Sequence, residues 1–369
     1  MDFQLSEEQT LLRDTTRDML SRGYDVESRN KVIDTELGWS REVWSQLADI
    51  GILGLGFDAD EAGQIEIMVV LTEVGRRLAP EPVVHAALAP GALIAELGTQ
   101  AQRQSLDDVA AGQRLLAFAH LEPGIRKPVD VVTTHAVQQG DSWMLTGRKN
   151  PVLAGDCADM LVVSAALPAG GTGLFLVAGD AVTRNAYRTF DGQRGAQIDL
   201  DRAPAEPLGD DAVDACAAIG RAIIRMQSAL CSEAVGAMEE ALRLTTDYLK
   251  TRKQFGVTLN KFQALTQRAA DMYVSLELAR SMNLYAAMSI ADGNFDPLIA
   301  ARAKLQIGRS GRHIGQEAIQ LHGGIGMTAE YPVGHYAARL TAIEHTLGST
   351  HDQLQVLIDR IADYDLARL

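Results

Sequence analysis

Cysteine and aromatic residues are scarce in this sequence, and positive charge is in deficit. The 369 residues include only three cysteines, which lie far apart without the spacing of a metal site, and aromatic residues make up 5%. An odd and sparse cysteine count is typical of free thiols in a reducing compartment. Lys and Arg together number 34 against 48 Asp and Glu, a net charge of −14. A chain this acidic is not expected to bind nucleic acid.

Long apolar runs are also missing. No stretch reaches the roughly 18 apolar residues that a membrane-spanning helix needs, and the first residues lack the basic-then-apolar order of a signal peptide. These absences predict a cytoplasmic protein with no membrane span. The composition is otherwise that of a folded protein, since 47% of the residues are apolar and 22% are charged.

What is present is a change of pattern along the chain, from helical to strand-like and back. Residues 1–112 carry apolar residues at helical spacing, with a capping box in residues 6–9. Residues 113–210 contain short apolar runs separated by Gly and Pro, and the turn residues at 139–142 (QGDS) predict a hairpin. Residues 211–369 show four long apolar stripes, the last over residues 336–365. We therefore predict an N-terminal all-α domain, a central small β domain and a C-terminal four-helix bundle.

Two motifs stand out in the predicted bundle. Residues 252–256 (RKQFG), followed by Phe262 and Gln263, combine positive charge with an aromatic residue. By itself this motif is compatible with two solvated cations at a helix C-terminus, where the helix dipole favours positive charge. Residues 320–328 (QLHGGIGMT) contain glycines like those of a dinucleotide fingerprint. That fingerprint needs a preceding strand, whereas these glycines follow a helical stripe and are typical of a helix C-cap.

Together the two motifs make the chain resemble the acyl-CoA dehydrogenase family along essentially its whole length. RKQFG with the following FQ matches one family signature, and QLHGGIGMT matches another, with Met327 where Tyr is usual. The resemblance implies an acyl-CoA dehydrogenase-like fold, FAD as cofactor, an acyl-CoA thioester as substrate and an electron acceptor flavoprotein as partner. In that family a carboxylate removes the α-proton of the thioester while the β-hydrogen passes as hydride to the flavin.

The resemblance also implies that this chain lacks the catalytic base. The usual base is the Glu of a Y-E-G-T-S-E-I-Q-like segment, and the corresponding residue here is Leu347. Some family members carry the base on the first bundle helix instead, and that position here is Met226. Neither side chain accepts a proton, so we assign no catalytic residue.

Residues that would face the flavin ring within this chain are changed as well. Two hydroxyl residues of the family are replaced by Leu121 and Leu153, and a small Gly-Ser pair is replaced by Arg126 and Lys127. Each polar edge of the flavin left without a partner would weaken binding by about 1–3 kcal/mol.

The residues that the family presents across a dimer interface to the neighbour's FAD are, in contrast, intact. They are Arg252, Phe255, Gln263, Gln320 and Gly324. Arg252 is suited to the pyrophosphate because a guanidinium pairs with phosphate oxygens, and Phe255 is suited to packing on the adenosine. This pattern predicts a subunit that completes the FAD site of a base-carrying homologue. The resemblance is to the heterotetrameric (α2β2) acyl-CoA dehydrogenases of bacterial steroid side-chain degradation.

Two alternative hypotheses are compatible with the sequence. One is a self-sufficient flavoenzyme with a different reaction or a displaced base, for which Glu344, His345 and Asp352 are the candidates. The other is a binding or scaffolding homologue with no flavin role. The flavin content of the purified chain, alone and with a partner, separates the three hypotheses.

Overall fold

The computed structural model describes residues 4–58, 63–125, 132–140 and 142–363, which form helices, then strands, then helices. This order confirms the predicted fold class. The helices before the strands are α1 (Glu7–Gly23), α2 (Val26–Ile33), α3 (Arg41–Asp49), α4 (Gln64–Arg77), α5 (Ala89–Leu97), α6 (Gln100–Gln104) and α7 (Leu106–Ala110). The strands are β1 (Leu116–Ala119), β2 (His135–Gln139), β3 (Ser142–Leu153), β4 (Met160–Ala166), β5 (Thr172–Ala178), β6 (Thr183–Arg188) and β7 (Arg194–Pro207). After them come α8 (Cys216–Thr251), a hairpin of β8 (Lys253–Gln254) and β9 (Val257–Thr258), α9 (Gln263–Ala291), α10 (Pro297–His322), α11 (Val333–His345) and α12 (Thr350–Asp359).

The described residues form two compact units. The sheet unit lies within residues 29–67 and 80–226, and the helical unit lies within residues 1–28, 68–79 and 227–369. Among the described residues, no helix is both long and apolar enough to cross a membrane. The domain boundaries after residues 112 and 210 stay a prediction.

The sheet unit is built on a seven-stranded sheet with the strand order β1-β4-β2-β3-β7-β5, in which β6 pairs with β7. Strand β5 also pairs with β4 along its whole length, so the sheet closes on itself. The hairpin predicted around residues 139–142 is confirmed as the connection between β2 and β3. Large side chains fill the core, and the fully buried ones include Leu145, Leu161, Val163, Phe175 and Ile198.

A buried ion pair in the sheet unit joins β3 to the segment that follows β1. The Lys149 ammonium donates to Glu122 Oε1 at 2.7 Å, to Ser164 Oγ at 3.0 Å and to the His120 carbonyl at 3.2 Å. Glu122 also accepts from the backbone amide of Thr133 at 2.6 Å. Burial by itself would raise the pKa of the Glu122 carboxyl, but hydrogen bonds, above all from Lys149, outweigh it and lower the pKa to about 2. Burial lowers the pKa of Lys149 to about 8 although Glu122 opposes the shift. Both groups are therefore charged at neutral pH although both side chains are buried.

In the helical unit, α4 and α8 cross in backbone contact. A Cβ atom added at Gly75 would lie 1.9 Å from the Glu233 carbonyl oxygen, and one added at Gly236 would lie 1.8 Å from the Thr72 carbonyl oxygen. No side chain fits at either position, because both neighbours are backbone atoms in a close-packed interior. The close crossing therefore depends on glycine in both helices.

The helix predicted over residues 336–365 is wrong as one continuous element. The structure divides it into α11 and α12, which are separated by residues 346–349. Leu347 has a φ of 58° and Gly348 a φ of 100°, and a left-handed backbone ends an α-helix. Ser349 then caps α12 in a capping box. The break places the predicted base position in a turn and not in a helix.

We expect Lys149→Met to lower the free energy of unfolding by about 3–5 kcal/mol, because it leaves the Glu122 carboxylate buried without its cation. The neighbouring Arg148 provides a matched control, since it pairs with Asp199 while its side chain is 57% exposed. Arg148→Met should cost no more than about 1 kcal/mol. Urea unfolding of the two variants measures the difference, and equal losses would contradict the assignment of a special role to the buried pair.

Candidate functional site

The first motif lies on an exposed β-hairpin between α8 and α9. Phe255 and Gly256 form the turn of the hairpin, with φ of 53° and 82°, as a two-residue hairpin loop requires. The Phe255 residue is 92% exposed. Its ring stands edge-on to Phe262, with the ring centroids 6.3 Å apart. The hairpin therefore holds an aromatic ring out in solvent, where another molecule can contact it.

Arg252 and Gln263 flank this hairpin, and both are exposed. The Arg252 amide donates to the Tyr248 carbonyl at 2.8 Å, and the Arg252 carbonyl accepts from the Leu259 amide at 2.9 Å. Within the part of the chain that the structure describes, no residue forms an ion pair or hydrogen bond with the Arg252 guanidinium. Gln263 begins α9. The backbone of Arg252 is thus fixed on both sides while its charge faces solvent.

The second motif lies at the end of α10. Gln320 is exposed in the last turn of the helix, and Gly324 is exposed in the turn that follows. Gly323 caps the helix with a φ of 68°, which confirms the C-cap predicted for this glycine pattern. Ile325 and Met327 in the same turn are 43% and 75% exposed. The motif therefore presents an amide, bare backbone and two apolar side chains to solvent.

An aromatic cluster brings the two motifs to the same end of the helical unit. The ring of Tyr248, one turn before Arg252, lies 4.5 Å from the ring of His322, and the Tyr331 ring lies 4.9 Å from His322. Burial lowers the pKa of the His322 imidazole. The neutral ring then donates from Nδ1 to the Ala318 carbonyl at 2.7 Å and accepts at Nε2 from the Tyr331 hydroxyl at 3.2 Å. This cluster fixes the helix ends that carry the two motifs.

Position 347, where the resemblance places the base, carries a buried leucine in a left-handed turn. Leu347 is 7% exposed. Its carbonyl accepts from Gln227 Nε2 at 2.9 Å and from Gln353 Nε2 at 3.2 Å. Met226, the other base position in the family, is also 7% exposed. Neither position offers a proton acceptor, and the two amide donors to Leu347 were not predicted from the sequence.

The residues considered for a displaced base are engaged elsewhere or lie at the surface. The Glu344 carboxylate is buried, pairs with the Arg312 guanidinium and accepts from the Thr350 hydroxyl at 2.9 Å. Asp352 accepts hydrogen bonds in the capping box that begins α12. His345 ends α11 and is exposed. Glu344 and Asp352 therefore have local roles that account for their positions without proton transfer, and His345 lies at the surface.

The sheet unit carries Leu121 and Leu153, which the resemblance matches to hydroxyl residues of the family. Leu121 and Leu153 are half-buried, and their side chains have no hydrogen-bonding group. The Leu121 carbonyl accepts from the Asn150 amide at 2.8 Å. Arg126 and Lys127 lie outside the described residues. In the described ranges, no three His, Cys, Asp or Glu side chains are grouped to hold a metal ion.

We expect Glu344→Gln to lower the free energy of unfolding by about 1–3 kcal/mol, because the Arg312 guanidinium loses its charged hydrogen-bond partner. His345→Gln, at the adjacent exposed residue, is the matched control and should change it by less than about 0.5 kcal/mol. Thermal unfolding measures both. If Glu344→Gln were as stable as the unmodified chain, the Glu344 carboxylate would be available as a displaced base.

Family models match both helical ends of the chain. The model of the acyl-CoA dehydrogenase N-terminal domain matches residues 6–113, and that of the acyl-CoA dehydrogenase C-terminal domain matches residues 219–362. Acyl-CoA dehydrogenase FadE12 of Mycobacterium tuberculosis (strain ATCC 25618 / H37Rv) is 30% identical over 324 residues, with 82% of each chain covered.

Two solved structures extend this similarity over nearly the whole chain. A variant of the Tcur3481-Tcur3483 steroid ACAD superposes with a TM-score of 0.89 at 33% identity, covering 97% of this chain and 98% of that one. The ChsE4-ChsE5 complex from Mycobacterium tuberculosis superposes with a TM-score of 0.89 at 25% identity, covering 99% of this chain and 100% of that one. The chain therefore belongs to the acyl-CoA dehydrogenase family, flavin-dependent oxidoreductases of lipid metabolism, as the resemblance of its two motifs predicted.

Proposed function

We propose that this chain is the subunit of a heteromeric acyl-CoA dehydrogenase that completes the FAD site of a base-carrying homologue and supplies no base itself. The observation that carries the proposal is a contrast within the helical unit. Leu347 is buried and cannot accept a proton, whereas Arg252 and Phe255 are exposed on a backbone that is fixed. The chain thus retains the groups that act on a neighbour and lacks the group that acts on its own substrate.

The exposed residues suit the parts of FAD that lie far from its reacting ring. The Arg252 guanidinium would pair with the pyrophosphate oxygens, and the Phe255 ring would pack on the adenosine. When bound, FAD accepts the β-hydrogen of the thioester as hydride. Leu121 and Leu153 would leave the polar edges of a flavin ring in this chain without side-chain partners. The residues present therefore fit FAD held by two chains better than FAD held by one.

The two alternatives have weaker support. A general base needs a free lone pair directed at the proton that it removes, and the Glu344 carboxylate is already engaged by Arg312 and Thr350. A scaffolding role without flavin leaves the exposure of Arg252 and Phe255 without an explanation.

The partner in this proposal is an acyl-CoA dehydrogenase homologue that carries a glutamate at its own base position, in an α2β2 assembly. The two similar structures support this choice, because each is named for two proteins together. One of them is named a steroid ACAD, and we extend that chemistry to a steroid-like CoA thioester as substrate. Electrons would leave the complex through an electron acceptor flavoprotein.

Flavin content tests the proposal directly. The chain purified alone should contain little FAD, because Leu121 and Leu153 offer the flavin ring no hydrogen bonds. The chain co-purified with a base-carrying homologue from a neighbouring gene should be yellow. Flavin absorbance of both preparations measures the difference. Near-stoichiometric flavin in the chain alone would support a self-sufficient enzyme, and no flavin in either preparation would support a scaffolding role.

Arg252→Ala should weaken flavin retention by the complex roughly ten- to a hundredfold, since a charge-assisted phosphate contact contributes about 1.5–3 kcal/mol. Lys253→Ala removes the same charge from the next residue and should leave flavin retention unchanged. Because both side chains are exposed, the melting temperature of the chain should not change in either variant. Flavin retained through gel filtration gives the comparison, and full retention by the Arg252→Ala complex would refute the assigned role.

A further inference from the structure

The turn between α11 and α12 is held by a buried lysine. Lys304, in α10, is 1% exposed. Its Nζ donates to the carbonyls of Ile343 at 2.6 Å, Glu344 at 3.0 Å and Gly348 at 3.3 Å. The first two carbonyls belong to the last turn of α11, where carbonyl groups lack partners within the helix and the dipole favours a cation. The third lies on the far side of position 347, so the ammonium bridges the turn.

The backbone at position 347 is strained, and its surroundings fix it. A residue such as Leu347 populates the left-handed conformation roughly five- to thirtyfold less than the right-handed one. Such strain persists only where neighbouring groups impose it. Gln227 and Gln353 donate to the Leu347 carbonyl. With Lys304 they form what we call the turn clamp, which supplies donors from α8, α10 and α12.

We infer that Lys304 is a positioning residue, which holds position 347 in its left-handed conformation and so fixes the direction of the side chain there. The inference rests on the proposed function only in naming position 347 as the base position. The turn clamp itself lies wholly within this chain. In this chain the turn clamp would then hold a leucine at position 347 where the family has a carboxylate. Leu347 would present a fixed apolar surface at that place.

The charges around Lys304 come from the helices that pack against it. Glu344 on α11 and Asp352 on α12 favour the ammonium, but burial outweighs them and lowers the pKa of Lys304 from 10.5 to about 8. The nearby Cys231 thiol on α8 is neutral, because burial raises its pKa to about 12. An open turn returns Lys304 to water and to its usual pKa. Between pH 8 and 10.5 the open turn therefore binds more protons, and opening becomes less favourable as the pH rises.

Amide hydrogen exchange of residues 343–353 in the full chain tests the inference. Leu347→Gly and Leu347→Ala both remove the isobutyl group, but only glycine adopts the left-handed conformation without cost. Each substitution is combined with Lys304→Met. We expect Lys304→Met to speed exchange of residues 346–349 at least about tenfold with either residue at position 347, and each glycine variant to exchange roughly five- to thirtyfold more slowly than its alanine counterpart. Exchange in the hairpin at residues 253–258 should not change.

Acceleration confined to residues 343–345, with residues 346–349 unchanged, would overturn the inference, since Lys304 would then cap α11 without controlling position 347. The pH profile of the unmodified chain is a second measurement, which does not depend on the folding of any variant. After correction for intrinsic exchange, protection of residues 343–353 should rise between pH 8 and 10.5, and a flat profile would equally overturn the inference. Neither measurement uses flavin, substrate or a partner, so its failure is distinct from failure of the proposed function.

Discussion

Backbone carbonyl groups at the end of a buried helix must find donors inside the protein, and this requirement governs the last helices of the chain. The Lys304 ammonium meets it for both sides of the turn after α11. Burying a cation is costly unless other groups replace its hydration, and here three carbonyls and a helix dipole offset part of that cost, while burial still lowers the pKa of Lys304. The sheet unit uses the same device, because Lys149 joins separate segments through Glu122 and neighbouring oxygens. In both units a lysine fixes segments that apolar packing alone would leave free to shift.

This arrangement separates two properties that a self-sufficient dehydrogenase combines in one chain. The shape of the base-position turn depends on contacts inside the helical unit, whereas the groups proposed to reach FAD depend on an exposed hairpin and a capped helix end. In the proposed role, a leucine at position 347 leaves the presentation of Arg252 unchanged, because no described hydrogen bond joins these two residues directly. A family member can lose one property without losing the other, and the proposed subunit role requires this independence.

Local signals carried most of the fold that was predicted from the sequence. The capping box at Ser6, the hairpin between β2 and β3 and the C-cap at Gly323 all follow from residues within a few positions of each other. The break at Leu347 was missed although Gly348 and the Ser349 capping box are local signals for it. Leucine favours helices, and two donors to the turn, from Gln227 and Lys304, are distant in sequence. The sequence pattern predicts that Lys149 and Lys304 are solvent-exposed cations. Their burial could not be predicted, because their partners come close to them only in the folded chain. The site positions came from family motifs, and their roles stay predictions.

The crossing of α4 and α8 has a consequence for how this chain has diverged. Where two side chains meet in a core, an enlargement of one can be offset when its neighbour becomes smaller, so the pair drifts together. At Gly75 and Gly236 the opposing surface is a backbone carbonyl group. A mutation cannot make a peptide group smaller. No compensating substitution exists at this crossing, so each glycine is constrained on its own. The two positions can serve as fixed reference points in aligning distant relatives, whatever residue stands at the proposed base position.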